Sequence, residues 1–243
     1  MDGDIMIKAV LFDLDGTLLP MNQDLFVKLY FSGITKKLQP FGYEPKKLLE
    51  TIYGGTMAMV KNDGSVLNCE RFWECFEKQF GKEKLNDMPI FDDYYKNEFT
   101  GAKAACGYNE HSAEIVKLIK TKGVKVILAT NPIFPSIATH TRMAWAGLDK
   151  DDFDLITTYD NSHFCKPNPD YYREILSRFD LSPSECIMVG NDIGEDMVAA
   201  TLGMKTFLLT DCLIAENETD KDKYNNGGFD ELEKFLADEL SKN

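Results

Sequence analysis

Five short runs of β-branched and aliphatic residues, at 7–12, 124–129, 153–158, 186–189 and 206–209, restrict the folds open to this 243-residue chain. Each alternates too little for a half-exposed antiparallel strand and reads as a strand covered on both faces. From the second run onward, helical patterns lie between them. Ile115, Leu118 and Ile119 form a stripe before the second strand, Tyr171, Ile175, Leu176 and Phe179 before the fourth, and Met197, Ala200, Thr201 and Met204 after it. Buried strands separated by helices predict β-α-β units, and so an α/β fold with a doubly wound, mostly parallel sheet. A last helix is expected from about Gly228, with Phe229, Leu232, Phe235, Leu236 and Leu240 on one face.

Between the first two strands, from about residue 20 to 110, no strand run occurs. Helical patterns at 23–38, 45–60, 68–80 and 91–103 are joined by turn signals at Gly42, Asn62-Asp63-Gly64 and Asn86-Asp87. Pro45 suits a first helical turn and Asn68 an N-cap. The block is too long for a simple crossover. It predicts a helical domain, 21–104, inserted into an α/β domain made of 1–20 and 105–243. Phe72, Trp73, Phe76 and Phe80 fall at helical spacing and read as the interior of that insert, with Lys61, Asn62 and Arg71 as its solvated surface. Gly54-Gly55 marks either a close backbone approach or a helix interruption.

Charge narrows the possible partners. The chain has 40 acidic and 27 basic residues, net −13, and only four arginines, which argues against a nucleic-acid binder. A membrane is also an unsuitable partner, because the uncharged stretch 126–141 is interrupted by Asn131, Pro132, Pro135 and His140. The N-terminal Met1-Asp2-Gly3-Asp4 is acidic where a secretory signal is basic, and the six cysteines contain no C-x-x-C pair. A cytoplasmic protein with reduced thiols is expected. His111, His140 and His163 have no zinc or iron spacing. Nothing here fixes the oligomeric state.

Chemistry-bearing residues gather at the strand exits. The first strand runs out into Asp13-Leu14-Asp15-Gly16-Thr17, where i and i+2 carboxylates can address one centre and Gly16 lets the chain turn. The second ends in Thr130-Asn131-Pro132, and Lys166-Pro167-Asn168-Pro169 follows the third. The fourth ends in Gly190-Asn191-Asp192, with Glu195 and Asp196 close behind. Taken singly, each has an ordinary structural alternative: a polar turn, a capped turn, a surface lysine, a helix cap. Together, at one edge of a parallel sheet where such folds bind ligands, they point to a site.

The order of these motifs resembles the haloacid dehalogenase superfamily of aspartate-nucleophile phosphohydrolases: Asp13-Leu14-Asp15-Gly16-Thr17, then Thr130, Lys166-Pro167, and Gly190-Asn191-Asp192 through Asp196. The resemblance covers roughly 5–20 and 105–215, and the helical insert stands where that family carries a cap. It implies a Rossmann-like core and a Mg²⁺-dependent phosphatase acting on a small phosphate ester through an aspartyl-phosphate on Asp13. A phosphomutase of the β-phosphoglucomutase type is the alternative, followed by a non-catalytic module. By the same resemblance Asp15 is the general acid and base, and Lys166 neutralises charge. Thr130 and the amides near Leu14, Asp15 and Asn131 hold phosphoryl oxygens, and the metal set is drawn from Asp13, Asp15 (through its carbonyl), Asp192 and Asp196. A carboxylate at Asp15 favours phosphoryl transfer over halide release, which needs no proton. Asn191 is an extra residue relative to the common spacing.

Overall fold

The computed structural model describes residues 5–241. Six strands, β1 (Ala9–Phe12), β2 (Lys125–Leu128), β3 (Leu155–Ile156), β4 (Cys186–Gly190), β5 (Lys205–Leu209) and β6 (Asn225–Gly227), form one sheet of order β3-β2-β1-β4-β5-β6. Every pairing is parallel. Period-two side-chain alternation divides the strands between two apolar layers. Val10, Phe12, Val126, Leu128, Ile187 and Val189 face one layer, and Ala9, Leu11, Ile127, Ala129, Cys186 and Met188 face the other. Covering both faces is what makes these runs continuously hydrophobic.

The first layer is closed by α5 (Glu110–Thr121) and α8 (Phe229–Leu240), the second by α7 (Pro169–Arg178). Between β1 and β2 stand α1 (Gln23–Leu38), α2 (Pro45–Val60), α3 (Asn68–Phe80) and α4 (Met88–Lys96), and α6 (Ser136–Trp145) joins β2 to β3. The buried side chains of α1 to α4 are continuous with the first apolar layer of the sheet. No helix of the described residues is long and apolar enough to cross a membrane.

Several sequence expectations need correction. The pattern at 91–103 divides into α4 and a 3₁₀ stretch, Glu98–Ala105. The break falls at Asn97, whose side chain donates back to the Asp93 carbonyl at 3.1 Å, a competition with the helix ladder open to short polar side chains. The segment after β4 is also a 3₁₀ turn, Met197–Leu202, in which Ala200 and Thr201 are exposed. The polar edge strand β6 has no hydrophobic signature. Asn68 is the first residue of α3, not its cap. Its amide donates to Ser162 O (2.9 Å), the next amide donates to Tyr159 O (2.9 Å), and its side chain reaches Pro132 O (3.3 Å). The first two amides of α3 are thus satisfied by the loop after β3, and the Asn68 side chain by the loop after β2, which ties the helical block to the sheet edge.

Candidate active site

The connections of β1 and β4 leave the sheet on opposite faces, opening a crevice beyond their carboxyl ends, the usual ligand position of such sheets. Asp13 follows β1 directly, and its amide donates to Val189 O on β4 (2.9 Å). Gly16, at φ +91°, turns the chain away, and any side chain there would strike Asn191. Asn191 links the two exits: it accepts the Thr17 hydroxyl at 2.9 Å and donates to Cys212 O at 2.7 Å. The residue that departs from the common motif spacing is therefore a structural tie.

Lys166 is fully buried at the centre of the site, donating to Asp13 Oδ1 (2.9 Å) and Asp196 Oδ1 (2.6 Å). Burial disfavours its charge, but the facing carboxylates of Asp13 and Asp196 outweigh this and hold the ammonium well above its usual range. Asp196 has its second oxygen on the Asp192 amide (3.0 Å), so both oxygens already have protein donors. Burial raises its carboxyl to about 7, against the pull of Lys166. Gly190 makes room for this carboxylate, since a Cβ there would collide with it. Gly190→Ala is expected to displace Asp196 and destabilise the protein by about 1–3 kcal/mol, read from the denaturant midpoint; an unchanged midpoint would contradict this packing.

Asp15 is less free than the sequence suggests. One carboxylate oxygen is paired with Arg142 of α6, while the other is buried without a hydrogen-bond partner among the described residues. Burial raises its pKa to about 6, moderated by Arg142. Its backbone carbonyl faces the Gln23 side-chain amide at 3.5 Å. Arg142 is itself 1% exposed and lies over the Phe134 ring at 4.6 Å. Neither Arg142 nor α6 is legible from hydrophobic stripes, because polar residues interrupt the pattern. A usable signal is one of just four arginines standing in an otherwise apolar run, Arg142-Met143-Ala144-Trp145.

Thr130 lines the crevice, its carbonyl held by the Thr157 hydroxyl (2.7 Å) and the Tyr171 phenol (3.0 Å). Among the described residues the amides of Leu14, Asp15 and Asn131 have no intramolecular acceptor. The Asn131 side chain donates to both oxygens of Glu195, at 3.0 Å each, and burial raises Glu195 to about 7. Glu195 is thus part of the site as well as of the turn that follows β4. Asp192 Oδ1 accepts the amides of Gly194 (2.7 Å) and Glu195 (3.0 Å), and among the described residues no donor reaches its other oxygen. Arg71 is held by Asn62, Glu74, Asp63 and Ser65 and takes no part in the crevice.

Asp13, Asp15, Thr130, Asn131, Asp192, Glu195 and Asp196 form the floor of a cavity of about 530 Å³, roofed by α1 to α4. Phe72 and Trp73 line it, whereas Phe76 is fully buried in the helical block, so the expected aromatic interior is partly a cavity wall.

The sequence pattern of the haloacid dehalogenase-like hydrolases matches residues 7–202. The chain belongs to this family. It is 28% identical over 217 residues to a glyceraldehyde 3-phosphate phosphatase of Methanothermobacter thermautotrophicus, covering 88% of this chain and 90% of that protein. It is 25% identical over 212 residues to the pyrophosphatase PpaX of Bacillus velezensis, covering 84% and 83%. In fold it is similar to a HAD phosphatase from Thermococcus onnurineus, with TM-score 0.58, 21% identity and coverage of 95% and 98%. In this chain Asp13 stands directly after β1, where the strand-exit reading places it.

Proposed function

We propose that this hydrolase is a Mg²⁺-dependent phosphatase that cleaves a small phosphate monoester through an aspartyl-phosphate on Asp13, with 21–104 acting as its cap. The observation that supports it most is the Asp13–Lys166–Asp196 array, which lies beside three unpartnered amides and a second carboxylate two residues on. Lys166 occupies Asp13 Oδ1 and leaves Oδ2, with only a 3.4 Å contact to the Thr17 hydroxyl, free to attack phosphorus. As that bond forms, the ester P–O bond breaks and Asp15 gives its proton to the leaving oxygen. Asp15 then takes a proton from water, whose oxygen displaces Asp13 and releases phosphate. The free amides of Leu14, Asp15 and Asn131, with Thr130, receive the phosphoryl oxygens where charge accumulates.

Mg²⁺ fits the donor set. Among the described residues five carboxylates (Asp13, Asp15, Asp192, Glu195 and Asp196) and no thiol or imidazole line the cavity, so a phosphate dianion needs an added cation there. Among the described residues no three His, Cys, Asp or Glu side chains are gathered closely enough to hold an ion unaided. That suits Mg²⁺, which takes one or two carboxylates, keeps several waters and binds substrate phosphate. Asp13, Asp192 and the Asp15 carbonyl are the proposed donors, and Asp196 positions Lys166. When bound, the ion would neutralise phosphoryl charge and orient it toward Asp13.

With Mg²⁺, phosphate release from phosphomonoesters is expected, and loss of that release by at least about 100-fold after exhaustive EDTA treatment, reversed by added Mg²⁺. Activity that survives chelation would refute the metal assignment. Isomerised sugar phosphate without free phosphate would instead establish a mutase.

A further inference from the structure

We infer that the alcohol released by this enzyme is uncharged and largely apolar, with room for a ring; this deepens, and rests on, the phosphatase reading above. A phosphate seated against Asp13 directs its ester group into the cavity under α1 to α4. That roof is built from Phe31, Ile34, Ile52, Phe72, Trp73 and Phe91, among others. Among the described residues no lysine or histidine lines the cavity, and the one arginine that does, Arg142, is already paired with Asp15. A second anionic group on the substrate, whether carboxylate or phosphate, would lie beside the acids of the floor with no countercharge from the roof, a heavy desolvation cost.

The polar groups of the roof are mostly engaged with one another. The Tyr30 and Tyr95 hydroxyls bond at 2.9 Å, and Thr56 donates to Ile52 O at 3.0 Å. A polyol would therefore bring hydroxyls that find few partners, at about 1–3 kcal/mol for each one left unmet. The side chains of Val27 and Ile214 and the ring of Tyr53 also line the cavity while 38–62% exposed, so the wall extends out to solvent. At about 530 Å³ the space lies within the range of small-molecule pockets and accommodates a ring. The sugar-phosphate and pyrophosphate names carried by relatives at 25–28% identity do not bear on this wall, because one scaffold hosts many substrates.

The test compares kcat/KM, with Mg²⁺, for esters of similar leaving-group chemistry: 2-phenylethyl phosphate, methyl phosphate, glycerol 3-phosphate, glucose 6-phosphate and phosphoglycolate. The expected result is a preference of at least about tenfold for 2-phenylethyl phosphate over glycerol 3-phosphate and phosphoglycolate, the scale of burying one ring. Equal or better turnover of glycerol 3-phosphate, glucose 6-phosphate or phosphoglycolate would overturn the inference. Phosphate release from none of the esters, with acetyl phosphate also inert, overturns the phosphatase reading and this inference with it, a result distinct from turnover with the wrong preference. Trp73→Ala is expected to lower the 2-phenylethyl to methyl phosphate ratio about tenfold. Val27→Lys, at an exposed position that tolerates the change, is expected to shift the ratio toward phosphoglycolate by about fivefold or more. An unchanged ratio in the folded Val27 variant counts against the inference.

Discussion

Asp13→Asn is expected to lower phosphate release by at least about 10⁴-fold, the scale of losing a covalent nucleophile, while the protein stays folded. The amide oxygen can still accept from Lys166, as Asp13 Oδ1 does at 2.9 Å, and the amide nitrogen can donate to the Thr17 hydroxyl. What disappears is the oxygen proposed to attack phosphorus. The substitution also removes a negative charge facing Asp196, whose carboxyl is raised by burial and, in part, by the Asp13 charge itself. Thermal unfolding should therefore show a midpoint equal to or above that of the unaltered protein, the trade of stability for activity expected where like charges are held together for chemistry. A folded variant with unaltered turnover would refute the nucleophile assignment. Loss of folding would refute the account of the array.

Lys166→Met should abolish activity and also damage the fold. The ammonium is fully buried between two carboxylates and is their shared donor. Replacing it with a thioether of similar length leaves Asp13 and Asp196 facing each other without a countercharge, a loss of about 3–5 kcal/mol when one partner of a buried ion pair is removed. Against a typical total stability of about 5–15 kcal/mol, this is a large shift in the denaturant midpoint. Adding Asp13→Asn to Lys166→Met removes one of the stranded charges and should recover part of the stability with none of the activity. The non-additivity measures the coupling between the two side chains. Strict additivity would show that the lysine acts on the fold independently of Asp13.

Much of the α/β scaffold was legible because its signals are local. The buried strands show as unbroken apolar runs, and α1, α2 and α3 begin and end where the periodic patterns do. Elements without such signals were not. The hydrophobic pattern of α6 is interrupted by polar residues, β6 is an Asn-Asn-Gly edge strand, and the turn after β4 is too tight for the α-helical period its residues suggest. Each is set by what it packs against, and its own propensity does not reveal it.

The site divides in the same way. Sequence by itself located the candidate site residues and the order in which they leave the sheet: Asp13 and Asp15, Thr130, Lys166, Asp192 and Asp196. Each follows or lies near a strand that must be buried, and parallel strands present their carboxyl ends at one edge. Tertiary structure alone decided how those residues pair. It placed Asp196 on Lys166, tied Thr17 to Asn191, brought Arg142 across 127 residues to Asp15, and set an apolar roof over an acidic floor. Such pairings depend on which faces meet when the helices pack, a choice made by summed burial over the whole chain, and no local pattern of residues records it.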